Sequence, residues 1–160
     1  MISETAALAR ELRWIVAEVA RALLEVNPAQ RNDRPIASAN SPVAIATHVH
    51  GCTRAWVLGI ACGLPVRRDR PAEFASFTPD VSDLIAGLTA LGSEIDTSLD
   101  RLSAQDLDRR SVPSRELWGN GDIQEISTRE AIVEAIRHAA LHLGEVRLTR
   151  DLLDAGGPTR

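Results

Sequence analysis

His138 and His142 stand four residues apart in "RHAALHLGE", Arg137 to Glu145, among alanines and leucines at helical spacing, in a chain with only four histidines. Two imidazoles one turn apart lie one above the other on a helix, so both can bind a single metal ion without bending it. The same spacing also occurs in hydrogen-bonded structural pairs, so its meaning depends on His48 and His50. At about 100° per residue, His48 lies within about 40° of Ala44, Cys52, Ala55 and Gly59, small residues on the side that Ile45 helps make apolar. His50 falls on the opposite side with Thr47 and Arg54 and reads as a solvated residue, not a ligand. In the second segment, His138 and His142 flank the stripe of Ile132, Ala135, Ile136, Ala139, Leu143 and Val146 and reach inward. Three inward imidazoles from two helices make His48, His138 and His142 the candidate ligands of one divalent ion, because buried imidazoles without a shared partner waste their hydrogen-bonding capacity.

Four segments with helical periodicity must position these residues, and no stretch alternates as a half-buried strand does. The first covers about Glu4 to Val26, capped by Ser3, with Leu8, Leu12, Ile15, Val16, Val19 and Leu23 on its apolar side. The second opens at Ser41 and Pro42, a cap followed by proline at the first helical position, and runs to about Cys62. The third covers about Asp80 to Leu102, with a further short turn over Ser103 to Leu107. The fourth begins after Ser127 or Thr128 and stops before Gly156 and Gly157. Between them, "GLPVRRDRPAEFASFTPD" reads as a crossover connection too rich in proline and arginine for a helix interior, and "SVPSRELWGNGDIQEIS" as a second long connection. The expectation is an all-α four-helix bundle with long crossover connections, one domain over residues 1–160, where polar sites form from side chains on facing helices.

Composition removes several function classes. A net charge of −4 gives no basic surface for nucleic acid. All 18 basic residues are arginine, which excludes a Schiff-base lysine. Charges interrupt the first twenty residues and no later run suits a membrane span, so a cytoplasmic protein with no membrane partner is expected. Cys52 and Cys62, ten residues apart on one helix, are about 15 Å apart along its axis and are expected as free thiols.

The segment "SPVAIATHVHGCTRAW", Ser41 to Trp56, resembles the second-helix motif of the DinB/YfiT-like metalloenzymes: a Ser-Pro start, an apolar stretch, the metal histidine, then an aromatic residue. "IRHAALHLGEVRLTRDLL", Ile136 to Leu153, resembles the fourth-helix pattern of that family, His-x-x-x-His-x-Gly, at His138, His142 and Gly144. Many relatives carry glutamine after the glycine; here Glu145 stands there, which either alters the hydrogen bonding behind the ligands or faces solvent. The resemblance implies a DinB/YfiT-like bundle, frequently a homodimer, with a three-histidine site for zinc or nickel. It also implies chemistry of the kind carried out by thiol-dependent S-transferases and isomerases, maleylpyruvate isomerase among them, with mycothiol, bacillithiol or glutathione as the low-molecular-weight thiol. Fold alone does not select a reaction.

Three readings follow. In the first, a three-histidine ion with an open position activates a small-molecule thiol that attacks an electrophile, as in an S-transferase. In the second the protein is a metal-dependent hydrolase, for which Glu145 is the one candidate catalytic base that spacing offers. In the third it is a dimeric scaffold or stress-associated binding protein whose metal is structural or vestigial. Cys52, one turn after His48, reads as a fourth ligand, a redox-sensitive thiol or a small core residue. Arg67, Arg68 and Arg70 either steer an anionic thiol or carboxylate to the bundle mouth or belong to a solvated loop. Trp118 covers the pocket as part of a lid or anchors its own connection. Leu141, Leu148 and Leu152 form a second apolar stripe facing away from the first, to be covered by a partner subunit or by the connections.

Overall fold

The computed structural model describes residues 3–156. Ser3 accepts a hydrogen bond from the Ala6 amide and starts α1, Glu4–Glu25. Ser41 does the same for the Ala44 amide, with Pro42 behind it, and starts α2, Pro42–Thr53. The last long helix, α6, Thr128–Gly156, is opened by a reciprocal cap: the Glu130 carboxylate accepts from the Ser127 amide and hydroxyl, while Ser127 Oγ accepts from the Glu130 amide. Gly156 thus lies inside the helix, not beyond its end, and Gly157 falls outside the described residues.

Two connections carry more structure than their composition suggests. The first contains the short helix α3, Arg70–Phe74, started by Asp69, which accepts from the Ala72 amide ahead of Pro71. Arg70 and Pro71 sit there in the first turn, where a missing proline N–H costs nothing. The second contains α5, Arg115–Trp118, and a two-stranded ribbon pairing β1, Arg110–Ser111, antiparallel with β2, Ile126–Ser127. The third long helix, α4, spans Ser82–Leu99, shorter than the periodicity suggests at both ends. Asp80 folds back to accept from the Ser82 amide and hydroxyl, and the Leu102 amide bonds Leu99 O in a tight turn. The short turn after it is Asp106–Asp108.

α1 packs on α4 and α6, and α2 with its continuation packs on α6 and α4, which closes a ring of four around one core. Leu12, Val16, Val19 and Leu23 of α1 meet Leu88, Leu91, Ile95 and Leu99 of α4 and Ile132, Ala139 and Val146 of α6, all buried. Truncating a leucine or isoleucine there to alanine costs about 2–5 kcal/mol. The all-α bundle expected from periodicity is the observed architecture, with the small ribbon as its only sheet among the described residues. No helix among them is long and apolar enough to cross a membrane.

The α2 rod does not stay α-helical to Cys62. From Arg54 to Ala61 it widens into a π-helical segment, and π turns inside α-helices often mark functional sites. The extra residue per turn rotates everything beyond Thr53 relative to a 100° projection. Gly59 therefore does not share the inward face of His48; a Cβ there would meet Leu117 Cδ1 of α5 at 3.0 Å.

Candidate metal centre

His48 comes from the middle of α2 and His138 and His142 from successive turns of α6, where the two helices pack together. Each histidine offers a ring nitrogen, and these atoms all lie within 4.8 Å of one another. The ring centroids are 5.0 Å apart for His48 and His138, 4.9 Å for His48 and His142, and 4.5 Å for His138 and His142. The three candidate ligands proposed from spacing are therefore brought together.

Their remaining nitrogens are oriented by carboxylates. His48 Nδ1 donates to Glu73 Oε2 at 2.7 Å, and His142 Nδ1 donates to Glu145 Oε2 at 2.5 Å. Donation from Nδ1 leaves the Nε2 lone pair of each ring for a metal, the usual arrangement behind metal-bound histidines. Glu145 thus bonds the ring of a candidate ligand, the first of the two options open in the sequence, while its side chain stays partly exposed. Its carboxyl is held below the usual range chiefly by the His142 hydrogen bond, against burial. A carboxylate so engaged is poorly placed to act as a hydrolytic base.

His48 is 2% exposed, and its ring packs against Phe74 of α3, tilted by 32° with centroids 4.2 Å apart. Burial pushes the His48 imidazole below its usual range, outweighing the opposite pull of Glu73. Burial, followed by the neighbouring His142 and His48 rings, pushes His138 down to about 3. Both are neutral at pH 7, the protonation state that metal ligation needs. His48 Nε2 and His138 Nε2 stand 3.2 Å apart. Two nitrogens bound to one zinc ion at about 2.0–2.1 Å are roughly 3.3 Å apart across a tetrahedral edge, so this pair fits a shared divalent cation.

Glu73 was not foreseen, because the segment carrying it reads as a connection. It is buried, bonded on one side to His48 and on the other to Arg68, whose Nε donates to Oε1 at 2.9 Å and Nη2 to Oε2 at 3.1 Å. Burial raises the Glu73 carboxyl, but its bonds to His48 and Arg68 prevail and hold it below the normal range. The legible signal was "DRPAEF", an Asp cap, an early proline and a glutamate, which is a helix start. Gly51 makes the approach possible: a Cβ there would lie 2.1 Å from Glu73 Oε1.

A cavity of about 360 Å³ opens onto this cluster, lined by His48, Cys52, His138, Trp56, Trp118 and Arg70 among others. Trp118 packs on Trp56 with ring centroids 5.1 Å apart, so it both covers the cavity wall and anchors its connection. Cys52 is 2% exposed with Sγ 3.7 Å from His138 Nε2, and burial pushes its thiol up to about 12. Cys52 and Cys62 are both free thiols.

One surface reading is corrected and two open alternatives are decided. Arg68 is not part of a solvated loop; its side chain is buried against Glu73. His50 is not solvated either: it is half-buried against α4, its Nε2 3.4 Å from where a Cβ on Gly87 would stand. Position 87 is a glycine, which leaves space that a 3.6-residue projection of α2 alone cannot reveal. Leu141, Leu148 and Leu152 are 62%, 59% and 49% exposed, so the connections do not cover that stripe.

A four-helix ring with a histidine trio on the α2–α6 seam belongs to the DinB/YfiT-like class. The family model for mycothiol-S-transferase matches residues 7–155, and the chain belongs to that family. The crystal structure of a conserved protein from Enterococcus faecalis is similar over 97% of this chain and 99% of that one, with a TM-score of 0.65 and 18% identity. At that identity the likeness concerns the fold. No curated protein matches the chain.

Proposed function

We propose that the protein is a metal-dependent thiol S-transferase in which His48, His138 and His142 hold one divalent ion, zinc or nickel, and mycothiol or a related low-molecular-weight thiol such as bacillithiol is the nucleophile. The observation that carries this reading is the convergence of three ring nitrogens, two of them backed by buried or half-buried carboxylates, with His48 and His138 lining a cavity. Family membership supports the thiol.

A divalent ion held by His48, His138 and His142 would lower the pKa of a bound thiol and so supply thiolate at neutral pH. The chain's own residues do the rest. Glu73 and Glu145 accept the Nδ1 protons, which fixes tautomer and ring orientation. Trp56, Trp118 and Ile126 line the cavity with apolar surface that limits water around the reacting sulfur. In the transfer, the thiol loses its proton to solvent, its sulfur forms a bond to an electrophilic carbon, and the leaving group departs with the bonding electron pair. Glu145 serves as support for His142 and not as a catalytic base, which sets the S-transferase above the hydrolase.

We read residues 1–160 as one domain in the cytoplasm, acting without nucleic acid or membrane. The exposed Leu141, Leu148 and Leu152 stripe supports a homodimer. The test is metal analysis of protein purified without an affinity tag, then conjugation of mycothiol, bacillithiol and glutathione with a reactive electrophile. A stoichiometric ion, absent from His48→Ala, together with turnover of at least one thiol, is the expected result. Full metallation with no turnover of any thiol would favour the scaffold.

A further inference from the structure

Arg70 differs from the other charged groups on the metal cavity. Arg68 is neutralised by Glu73, and Glu134, also on the lining, is paired with Arg137. Arg70 also lines the cavity, yet among the described residues it has no carboxylate within ion-pair distance. Its guanidinium carbon lies 4.8 Å from the centre of the Phe74 ring, and Phe74 is in turn 4.2 Å from the His48 ring. Those two contacts in series put the guanidinium within about 9 Å of the metal ligand, about the span of a small organic molecule.

The side chain is also held in place. The Phe74 ring supports the guanidinium from one side, and Gly119 closes in on the stem: a Cβ there would lie 3.7 Å from Arg70 Cδ and 3.3 Å from Arg68 Nη1. Gly119 has φ 88°, a conformation that favours glycine, so the backbone of the α5 terminus closes over both arginines. A positioned fork with no internal partner, beside apolar Trp56, Trp118 and Ile126, is what recognition of a carboxylate on a partly apolar molecule requires.

We infer that Arg70 is a specificity residue of this cavity and pairs with a carboxylate of the substrate, while the reacting atom of that substrate lies toward His48 and His138. The inference rests on the proposed use of the cavity for S-transfer, but the pairing itself needs no bound metal. The carboxylate has two sources: the electrophile or the thiol.

The experiment is calorimetric titration of the full chain, as purified and after chelation, with benzoate against benzamide and with N-acetylcysteine against N-acetylcysteamine. The wild type is expected to prefer the carboxylate of at least one pair by about tenfold or more, with and without metal. Arg70→Gln and Arg70→Met are expected to abolish the preference; the methionine variant keeps an apolar stem on Phe74, and matched thermal unfolding verifies both folds. Arg70→Lys retains part of it, as a point charge without the fork. Preference within the benzoate pair assigns Arg70 to the electrophile, and within the thiol pair to the thiol. No preference in the chelated wild type, or one unchanged in Arg70→Gln, overturns the inference. Loss of thiol turnover with the preference intact would instead count against the S-transferase reading alone.

Discussion

Glu73 Oε2 accepts the Nδ1 proton of His48 at 2.7 Å, joining residues 25 positions apart, and the same carboxylate neutralises buried Arg68. Glu73→Gln is expected to weaken metal binding by about 10–100-fold, the usual cost of removing an acceptor behind a metal-bound histidine. It also leaves the Arg68 charge uncompensated, at about 3–5 kcal/mol of stability. Competition with a chromophoric chelator and denaturant unfolding measure the two effects, and unchanged affinity would show that Glu73 does not orient His48.

Gly51→Ala acts on that pair from α2 itself, one turn after His48. An alanine normally strengthens a helix interior by about 1 kcal/mol, but here its methyl would overlap Glu73 Oε1, which His48 and Arg68 pin in place. Net destabilisation of about 1–3 kcal/mol is expected, with weaker metal binding in parallel. A stabilised variant would show that α3 yields freely.

Removing metal from the wild type is expected to lower its unfolding temperature, because an ion held at a hundred times its Kd stabilises by about 2.7 kcal/mol. In His138→Ala the chelator should make little difference. Calorimetric scans with and without chelator, on both proteins, make the comparison.

Burial, opposed by the Arg109 guanidinium, pushes the Cys62 thiol up to about 11. The raised pKa keeps the thiol protonated near neutrality, so less thiolate is available than at an ordinary cysteine. Alkylation of Cys62 by iodoacetamide, followed by peptide mass spectrometry, is expected to accelerate about tenfold per pH unit beyond pH ~9, where a thiol of pKa about 8.5 levels off. An early plateau would mean that the thiol is not shielded.

Leu148→Glu places a charge in the exposed stripe of α6 with Leu141 and Leu152 on either side. Sedimentation of wild type as a dimer and of the variant as a monomer is the expected outcome. Equal mass for both at every concentration would remove the stripe from the interface.

How much of this was legible follows the range of the interactions involved. The caps at Ser3 and Ser41, the apolar faces of α1, α4 and α6, and the inward aim of His48, His138 and His142 depend on neighbours within one or two turns. So does the bond from His142 to Glu145, three residues on, which the family resemblance left as one of two options. By contrast, the π turns from Arg54 rotate Gly59 off the projected face. His50 is covered because α4 presents Gly87 to it, a fact of another helix.

By itself the sequence determined a helical bundle and three imidazoles able to meet, since the 3.6-residue period sorts side chains by face wherever the helix stays regular. Only the tertiary structure decided what stands behind and around them: Glu73 against His48, Arg68 buried with it, and Arg70 left unpaired on the cavity wall. Those relationships depend on α3 docking onto α2 at Gly51. The reason is physical: a buried carboxylate takes whichever donors the packed helices bring to it, and chain proximity does not encode that choice.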